Sequence, residues 1–229
     1  MSLYPVNLNI TDKLCLVVGG GAVALRKTKS LLASGAKIRL ISPEVLAELN
    51  VLAQSKEIEW FERGFVEGDL KGVFLVFAAT NNPDVQVLIV EEAAKYSILL
   101  NSADDPRNSH FHVPAHFRRG KMLVTVSTGG GSPALAKKIR QQLEFEFAPE
   151  YEVVVELLSL IREKVVGLDD DSVIHGQLFR RLLQQEIVEL VLKAKWFDLQ
   201  MMLLRELPES ADAVTLMKKF LEKYDQAPG

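Results

Sequence analysis

The chain has 229 residues, of which 48% are hydrophobic and 25% charged, and its formal net charge is −3. This balance excludes an intrinsically disordered protein and one that holds nucleic acid through overall positive charge. A single cysteine, Cys15, excludes a disulfide framework and a zinc site built from several thiolates. Neither a signal peptide nor an apolar run near the ~20 residues of a membrane span is visible, so we expect a cytoplasmic protein without a membrane partner.

The first hundred residues alternate between short apolar runs and amphipathic segments. A short apolar run bounded by turn residues is typical of a strand buried on both faces of a parallel sheet. Such runs predict strands over residues 13–18, 37–41, 58–61, 73–78 and 98–101, and the segments between them predict helices over residues 22–34, 43–54 and 84–95. The alternation predicts an α/β fold whose N-terminal domain, residues 1–112, contains a Rossmann-type parallel sheet.

The pattern changes after residue 105. Strands are predicted over residues 111–114 and 122–127, with a basic turn between them, and a helix follows over residues 134–147. Further helices are predicted over residues 152–165, from Asp171 or Ser172 to about residue 195, and over residues 213–224. We therefore expect a small α+β segment over residues 113–148 and a C-terminal helical domain over residues 149–229.

Three consecutive glycines directly follow the first predicted strand and open the first predicted helix. Together with Ala24 they form the pattern G-x-G-x-x-A, in which glycines allow a tight turn and a close approach to a pyrophosphate. The free N–H groups and the dipole of the helix N-terminus attract the phosphates. The pattern predicts a dinucleotide site with contacts from Gly19, Gly20, Gly21, Ala22 and Val23.

The acidic residue that usually ends the second strand of such a site is missing. Ser42 occupies that position, and its hydroxyl is able to bond a ribose, with Pro43 beside it and Glu44 nearby. Arg39 either favours a 2′-phosphate, as in NADP, or is a solvated strand residue. The residues alone therefore do not decide between NAD and NADP as the cofactor. We also predict cofactor contacts at Ala79, Thr80 and Asn81, where the fourth strand ends, although an ordinary turn would explain them as well.

A basic segment runs from Arg107 to Arg140, with seven arginines and lysines and no acidic residue. This excess predicts an anionic partner, either a nucleic acid or a small molecule with many carboxylates. Few aromatic residues are interleaved, so a base-stacking surface is poorly supported and we expect no nucleic-acid partner. A solvated basic face remains the alternative for Lys137, Lys138 and Arg140.

Asp104 and Asp105 follow the fifth predicted strand at its carboxyl end, beside the expected nicotinamide. A carboxylate there is placed for proton transfer in a redox step, although Asp-Asp-Pro is also a common turn. In an extended strand His110 and His112 would share one face, and His116 is close in sequence. This arrangement suits a transition metal, or ordinary hydrogen-bonded histidines, and we assign no metal ligand.

Four stretches together resemble the siroheme synthase family. They are VVGGGAVALRK (17–27), AATN (78–81), NSADDP (101–106) and VSTGGGSPALA (126–136). The resemblance is to the module with precorrin-2 dehydrogenase and, in some members, sirohydrochlorin ferrochelatase activity, in a stand-alone form without a methyltransferase domain. The three histidines depart from the family, whose residues there are mostly apolar or acidic.

The resemblance implies a homodimer formed through residues 113–148, NAD as oxidant and the polycarboxylate precorrin-2 as substrate, with Fe²⁺ as a second substrate in chelatase members. Asp104 matches the proposed catalytic aspartate of the family, which removes a proton as sirohydrochlorin forms. The substrate contacts assigned on this basis are Asn101, Asp105, Arg107, Ser127, Thr128, Gly129, Gly130 and Lys137. A non-enzymatic dinucleotide sensor and a nucleic-acid-binding regulator are the competing hypotheses.

Overall fold

The computed structural model describes residues 3–103, 106–166, 172–184 and 186–224. The chain divides into two compact units, residues 2–113 and residues 114–229. The first unit therefore ends one residue beyond the predicted Rossmann-type domain. The second unit contains both the α+β segment and the C-terminal helices.

The first unit is built on a parallel sheet of five strands in the order β3-β2-β1-β4-β5. The strands are β1 (Leu14–Val18), β2 (Lys37–Ile41), β3 (Ile58–Phe61), β4 (Leu75–Ala78) and β5 (Leu99–Ser102), and the helices are α1 (Ala22–Leu32), α2 (Ala47–Gln54) and α3 (Pro83–Tyr96). The order reverses between β1 and β4, and a sheet of this type forms its ligand crevice at the carboxyl ends of those two strands. The predicted α/β fold is confirmed.

The apolar strands are explained by burial on both faces of the sheet. Cys15 and Val17 of β1 belong to the core beside α1 and α2, whereas Leu16 and Val18 belong to the core beside α3. Burial raises the pKa of the Cys15 thiol to about 11, so the thiol stays protonated near neutral pH. Cys15 is therefore a core residue, as its apolar surroundings predict.

The predicted strand over residues 111–114 is wrong. This segment instead lies against β5 through scattered contacts: His110 N donates to Leu100 O at 2.8 Å, and Asn101 Nδ2 donates to Phe111 O at 2.8 Å. Phe111 packs edge-on against Phe77, with ring centroids 5.5 Å apart. The contacts of Phe111 hold this segment against β5 without the backbone hydrogen bonds of a strand pair.

The second unit begins with an antiparallel pair, β6 (Ala115–Arg119) and β7 (Met122–Val126), followed by α4 (Pro133–Glu146). Arg119 links the pair to the end of α4, since its guanidinium donates to Phe147 O at 2.9 Å and to Glu144 O at 3.0 Å. The remaining helices enclose one apolar core. They are α5 (Tyr151–Val166), α6 (Ser172–Gln184), α7 (Ile187–Leu192), α8 (Trp196–Glu206) and α9 (Ala213–Tyr224).

The single helix predicted from residue 171 or 172 to about residue 195 is two helices, α6 and α7. Glu186, at the start of α7, has a φ of 60°, a left-handed conformation that a continuous right-handed helix cannot contain. Ala194, with a φ of 51°, likewise separates α7 from α8. Within the described residues, no helix is both long and apolar enough to cross a membrane.

Candidate functional site

Gly19 directly follows β1 and packs against Ala79, which directly follows β4. Its N–H donates to Ile41 O at 2.9 Å, and its φ of 122° is one that side chains rarely allow. A Cβ at this position would lie 2.2 Å from Ala79 O, which is backbone and cannot move aside easily. Glycine is therefore required here for the crevice to form.

We expect Gly19→Ala to lower the free energy of unfolding by more than about 2 kcal/mol, because backbone strain and a steric clash both act against it. Gly64→Ala is the matched control, since no atom lies within 4 Å of its Cβ position and its φ is not positive. Urea denaturation of the two variants measures the difference. Equal stabilities would contradict the close approach of Gly19 and Ala79.

Gly20 is covered by the loop that follows β2. A Cβ on Gly20 would lie 1.9 Å from Glu44 O, and Leu46 N donates to Gly20 O at 3.0 Å. Ser42 Oγ donates to Glu44 O at 2.6 Å, and Trp60 Nε1 donates to Ser42 O at 3.0 Å. These contacts explain why α2 begins at Ala47 instead of residue 43, because the preceding residues are held against the glycine turn.

The same contacts bear on the cofactor residues predicted after β2. Ser42 is buried, and its hydroxyl proton is used in the bond to Glu44 O. Pro43 is exposed beside it. Their contact with a cofactor stays a prediction, and Ser42 holds the shape of the loop.

Gly21 is the N-cap residue of α1 and is exposed. No atom lies within 4 Å of its Cβ position, and no side chain caps the helix. Ala22 and Val23 are exposed, whereas Ala24 is fully buried, so the helix packs closely on the sheet and presents an open end. An exposed helix N-terminus without a capping side chain fits a pyrophosphate.

The loop after β4 forms the other wall of this crevice. Ala79 N donates to Val18 O at 2.8 Å, and Asn82 Oδ1 caps α3 by accepting from Asp84 N at 3.0 Å. Thr80 and Asn81 lie between these anchors, with Asn81 exposed. The structure thus brings the predicted cofactor residues of the three loops to one edge of the sheet.

Gln86 was not predicted as a site residue from the sequence, but it positions the loop that follows β4. Its Nε2 donates to Thr80 O at 2.8 Å, and its Oε1 accepts from Ser102 Oγ at 2.9 Å. It therefore ties the loop after β4 to the end of β5. Sequence patterns could not reveal the bridge, because it depends on β4 and β5 being neighbours.

The end of β5 carries the predicted reactive region. Ala103 N donates to Ala78 O at 3.0 Å, which fixes the chain next to β4. Asp104 and Asp105 lie outside the described residues. Asn101 is buried and holds the 111–113 segment through its amide, which is a positioning contact, and Arg107 is exposed on a short 3₁₀ turn.

In the second unit, a glycine loop joins β7 to α4. Gly129 and Gly130 have φ of 60° and 87°, and nothing lies within 4 Å of their Cβ positions. Thr128 Oγ1 closes the loop by accepting from Ser132 N at 3.0 Å and donating to Ser132 O at 3.1 Å. Ser127 Oγ accepts from Gly129 N at 3.2 Å. Left-handed glycines in an open loop provide the kind of backbone concavity that binds anions.

The basic segment divides into paired and exposed cations. Arg119 is held by α4, Lys121 lies 3.5 Å from Glu156, and Arg140 pairs with Glu144. By contrast Arg118, Lys137 and Lys138 are exposed, and no ion pair joins them to a described residue. Within residues 118–140 the excess of positive charge is therefore smaller than the sequence suggests and is concentrated on these three side chains.

The three histidines have separate surroundings. His110 Nδ1 lies 3.2 Å from Leu100 N and 3.1 Å from Ile98 O, and exposed His116 has Nδ1 3.0 Å from Pro114 O. The strand that would pair His110 with His112 is absent. Among the described residues, no group of three or more His, Cys, Asp or Glu could hold a metal ion.

Comparison with known proteins gives two matching family models and a solved structure of the same fold. Residues 6–115 match a family model described as "Putative NAD(P)-binding", and residues 119–144 match one described as "Sirohaem biosynthesis protein central". A solved structure titled "SirC, precorrin-2 dehydrogenase" has the same fold, with a TM-score of 0.69 and 24% identity over 98% of this chain and 100% of that one.

Related proteins include the siroheme synthase of Thioalkalivibrio sulfidiphilus, which is 34% identical over 85% of this chain and 40% of its own length. Siroheme synthase 3 of Aeromonas hydrophila is 36% identical over 72% of this chain and 35% of its length. The chain thus spans about two fifths or less of these relatives. Over residues 6–115 and 119–144 it carries the NAD(P)-binding and central modules of the siroheme synthase family, to which it belongs.

Proposed function

We propose that this chain is a cytoplasmic, NAD-dependent dehydrogenase that oxidises precorrin-2 to sirohydrochlorin. The match of residues 119–144 to a sirohaem biosynthesis model carries most of the argument, because it adds a tetrapyrrole pathway to a dinucleotide fold. The relatives are named siroheme synthases, and a structural neighbour is named a precorrin-2 dehydrogenase.

The cofactor would lie on the glycine turn. Gly19 and Gly20 leave no room for side chains where three loops meet, and Gly21 leaves the N-terminus of α1 open for the pyrophosphate. The loop 79–81 after β4 faces the same crevice, at the position expected for the nicotinamide half. When bound there, NAD⁺ supplies the hydride acceptor for the reaction.

The substrate carboxylates would be held by the second unit's glycine loop and exposed cations. The open backbone around Gly129 and Gly130 offers main-chain N–H groups, and Lys137 on α4 offers an exposed ammonium that forms no ion pair with a described residue. Both suit a carboxylate better than a neutral ligand. The side chains of Ser127 and Thr128 complete the contacts proposed for the second unit. Arg107, exposed on the first unit, is proposed separately as a substrate contact.

We expect Lys137→Gln to raise the KM for precorrin-2 about tenfold, since one charge-assisted hydrogen bond is lost, and to leave NADH affinity unchanged. Lys219→Gln removes the same charge from an exposed position of α9 and serves as the control. Steady-state kinetics and NADH titration measure both effects. An unchanged KM in Lys137→Gln would remove this residue from the substrate contacts.

Asp104 would accept the proton of the reaction. Oxidation removes two electrons and one proton from precorrin-2 as hydride, which passes to the nicotinamide, and a second proton passes to a base. The proposal for Asp104 rests on its match to the family motif and on its place directly after Ala103, which is bonded to β4.

The activity is tested directly by adding precorrin-2 and NAD⁺ to the purified chain without oxygen. Absorbance at the NADH band and the sirohydrochlorin spectrum should rise together, in equal amounts. Binding of NADH without any turnover would instead favour the dinucleotide sensor. Salt-dependent retention of DNA or RNA would favour the nucleic-acid regulator.

We also propose that the chain is a homodimer joined through β6, β7 and α4. Among its described residues α4 buries only Ala136 fully, while Leu135 is 48% and Phe145 90% exposed. These exposed apolar side chains support the proposal, because a partner subunit would remove them from water. Sedimentation velocity should give twice the chain mass of 25.5 kDa, and a monomer at micromolar concentration would contradict the proposal.

Fe²⁺ insertion into sirohydrochlorin is the second candidate activity, favoured by the name of the relatives, siroheme synthases. Iron enters here as a substrate, so no resident metal site is required. An anaerobic assay of sirohydrochlorin and Fe²⁺ tests the activity, with Asp104→Asn as a variant. Siroheme formation at the uncatalysed rate would contradict the proposed iron insertion and leave the dehydrogenase proposal intact.

A further inference from the structure

We infer that Glu44 selects NAD over NADP and replaces the acidic residue missing from the end of β2. The inference rests on the proposed function, because it requires the ribose of a dinucleotide beside the glycine turn. It goes beyond that function by naming the side chain that sets the cofactor preference.

The backbone of Glu44 is fixed against the turn. Its carbonyl oxygen occupies the space that a Cβ on Gly20 would need, and it accepts the Ser42 hydroxyl at 2.6 Å. Leu46 N, two residues later, donates to Gly20 O at 3.0 Å. Glu44 is therefore held between two anchors in contact with the glycine turn, and its side chain starts from a defined point beside the adenosine half of the crevice.

The side chain of Glu44 is exposed, and no hydrogen bond or ion pair joins it to a described residue. The position of Ser42 at the end of β2 is different, since its side chain is buried and its proton is used internally. Of the two polar residues considered for ribose binding, Glu44 alone keeps its full accepting capacity for a ligand. An ionised carboxylate accepts hydrogen bonds from both ribose hydroxyls.

The arginines that a 2′-phosphate would need are already paired with carboxylates. Arg39 donates to Glu59 at 3.1 Å, and Arg63 donates to Asp69 through two bonds of 2.8 Å and 2.7 Å. Both guanidinium groups lie 5.3 Å from the ring of Phe61. A 2′-phosphate beside Glu44 would thus meet a like charge with no uncommitted guanidinium from this pair to offset it.

Calorimetric titration of NADH and NADPH into the full chain tests the inference without any need for turnover. The native chain should bind NADH about 100-fold more tightly than NADPH, because like charges disfavour the phosphate. In Glu44→Gln the ratio should fall to about tenfold or less, mainly through tighter NADPH binding. Glu57→Gln is the matched control. Glu57 is also exposed, but it precedes β3 and therefore lies at the amino ends of the parallel strands, away from the glycine turn at their carboxyl ends.

Four outcomes are decisive. Retention of the native ratio in Glu44→Gln, or an equal change in Glu57→Gln, would overturn the role of Glu44. Equal affinities of the native chain for NADH and NADPH would also overturn it, while leaving dinucleotide binding in place. Failure of the native chain to bind either cofactor would instead contradict the proposed function. Thermal unfolding of Glu44→Gln checks that the loop is intact, and Glu44→Ala gives a second variant if it is not.

Discussion

Gly21→Asp should abolish NADH binding while the protein stays folded. Apart from its chain neighbours, no described atom lies within 4 Å of a Cβ at this position, and its φ of −88° and ψ of −169° suit any residue, so an added Cβ causes no clash. Aspartate is a preferred N-cap residue, and its carboxylate would accept from the first N–H groups of α1. It would therefore fill the anion site itself and repel the pyrophosphate.

We expect NADH affinity to fall by at least about 100-fold, a cost of several kcal/mol that is typical of like charges in contact. The free energy of unfolding should stay within about 0.5 kcal/mol of the native value, since aspartate caps a helix slightly better than glycine. Calorimetry and urea denaturation measure the two quantities. Gly21→Ala, which adds bulk without charge, is the control and should bind NADH far better than Gly21→Asp. Native affinity in Gly21→Asp would show that the cofactor does not use this helix end.

Asp104→Asn should lower kcat by about 100-fold to 10,000-fold and leave NADH affinity unchanged. The carboxamide keeps the size of the side chain but cannot accept a proton, and a positioned general base contributes a factor of this order. Stopped-flow measurement of NADH formation under saturating substrates gives the chemical step without the contribution of binding.

Asp105→Asn is the matched control, because it makes the same change in the next residue. As a proposed substrate contact, Asp105 should affect KM for precorrin-2 more than kcat. If the two variants had the same kinetic profile, neither could be assigned as the base. Full activity in Asp104→Asn would require the proton to leave by another route.

Much of the first unit could be predicted from its sequence because its signals are local. Runs such as residues 14–18 are apolar on both faces, and the glycines after them serve a turn whose backbone clashes with any side chain. The strand predicted over residues 111–114 fails for the opposite reason. Phe111 packs on Phe77, a contact that is distant in sequence and that forms without a strand.

The candidate site was only partly predictable for a similar reason. The residues of the glycine turn carry a distinctive pattern, whereas Gln86 and Trp60 gain their roles from which strands and loops are neighbours. The basic segment shows the same effect, since Arg119 and Lys121 are paired with residues of the following helices. Charge counted along a sequence therefore overestimates the charge available to a ligand.

The loop of residues 42–46 meets the glycine turn largely through main-chain atoms, at Glu44 O, Leu46 N and Gly20 O. The Ser42 hydroxyl adds a side-chain bond to Glu44 O, whereas Glu44 contributes to the shape only through its main chain. A substitution of the side chain at position 44 would therefore leave these main-chain contacts in place. If Glu44 sets the cofactor preference, a single substitution there would change the redox cofactor in evolution with little accompanying loss of stability.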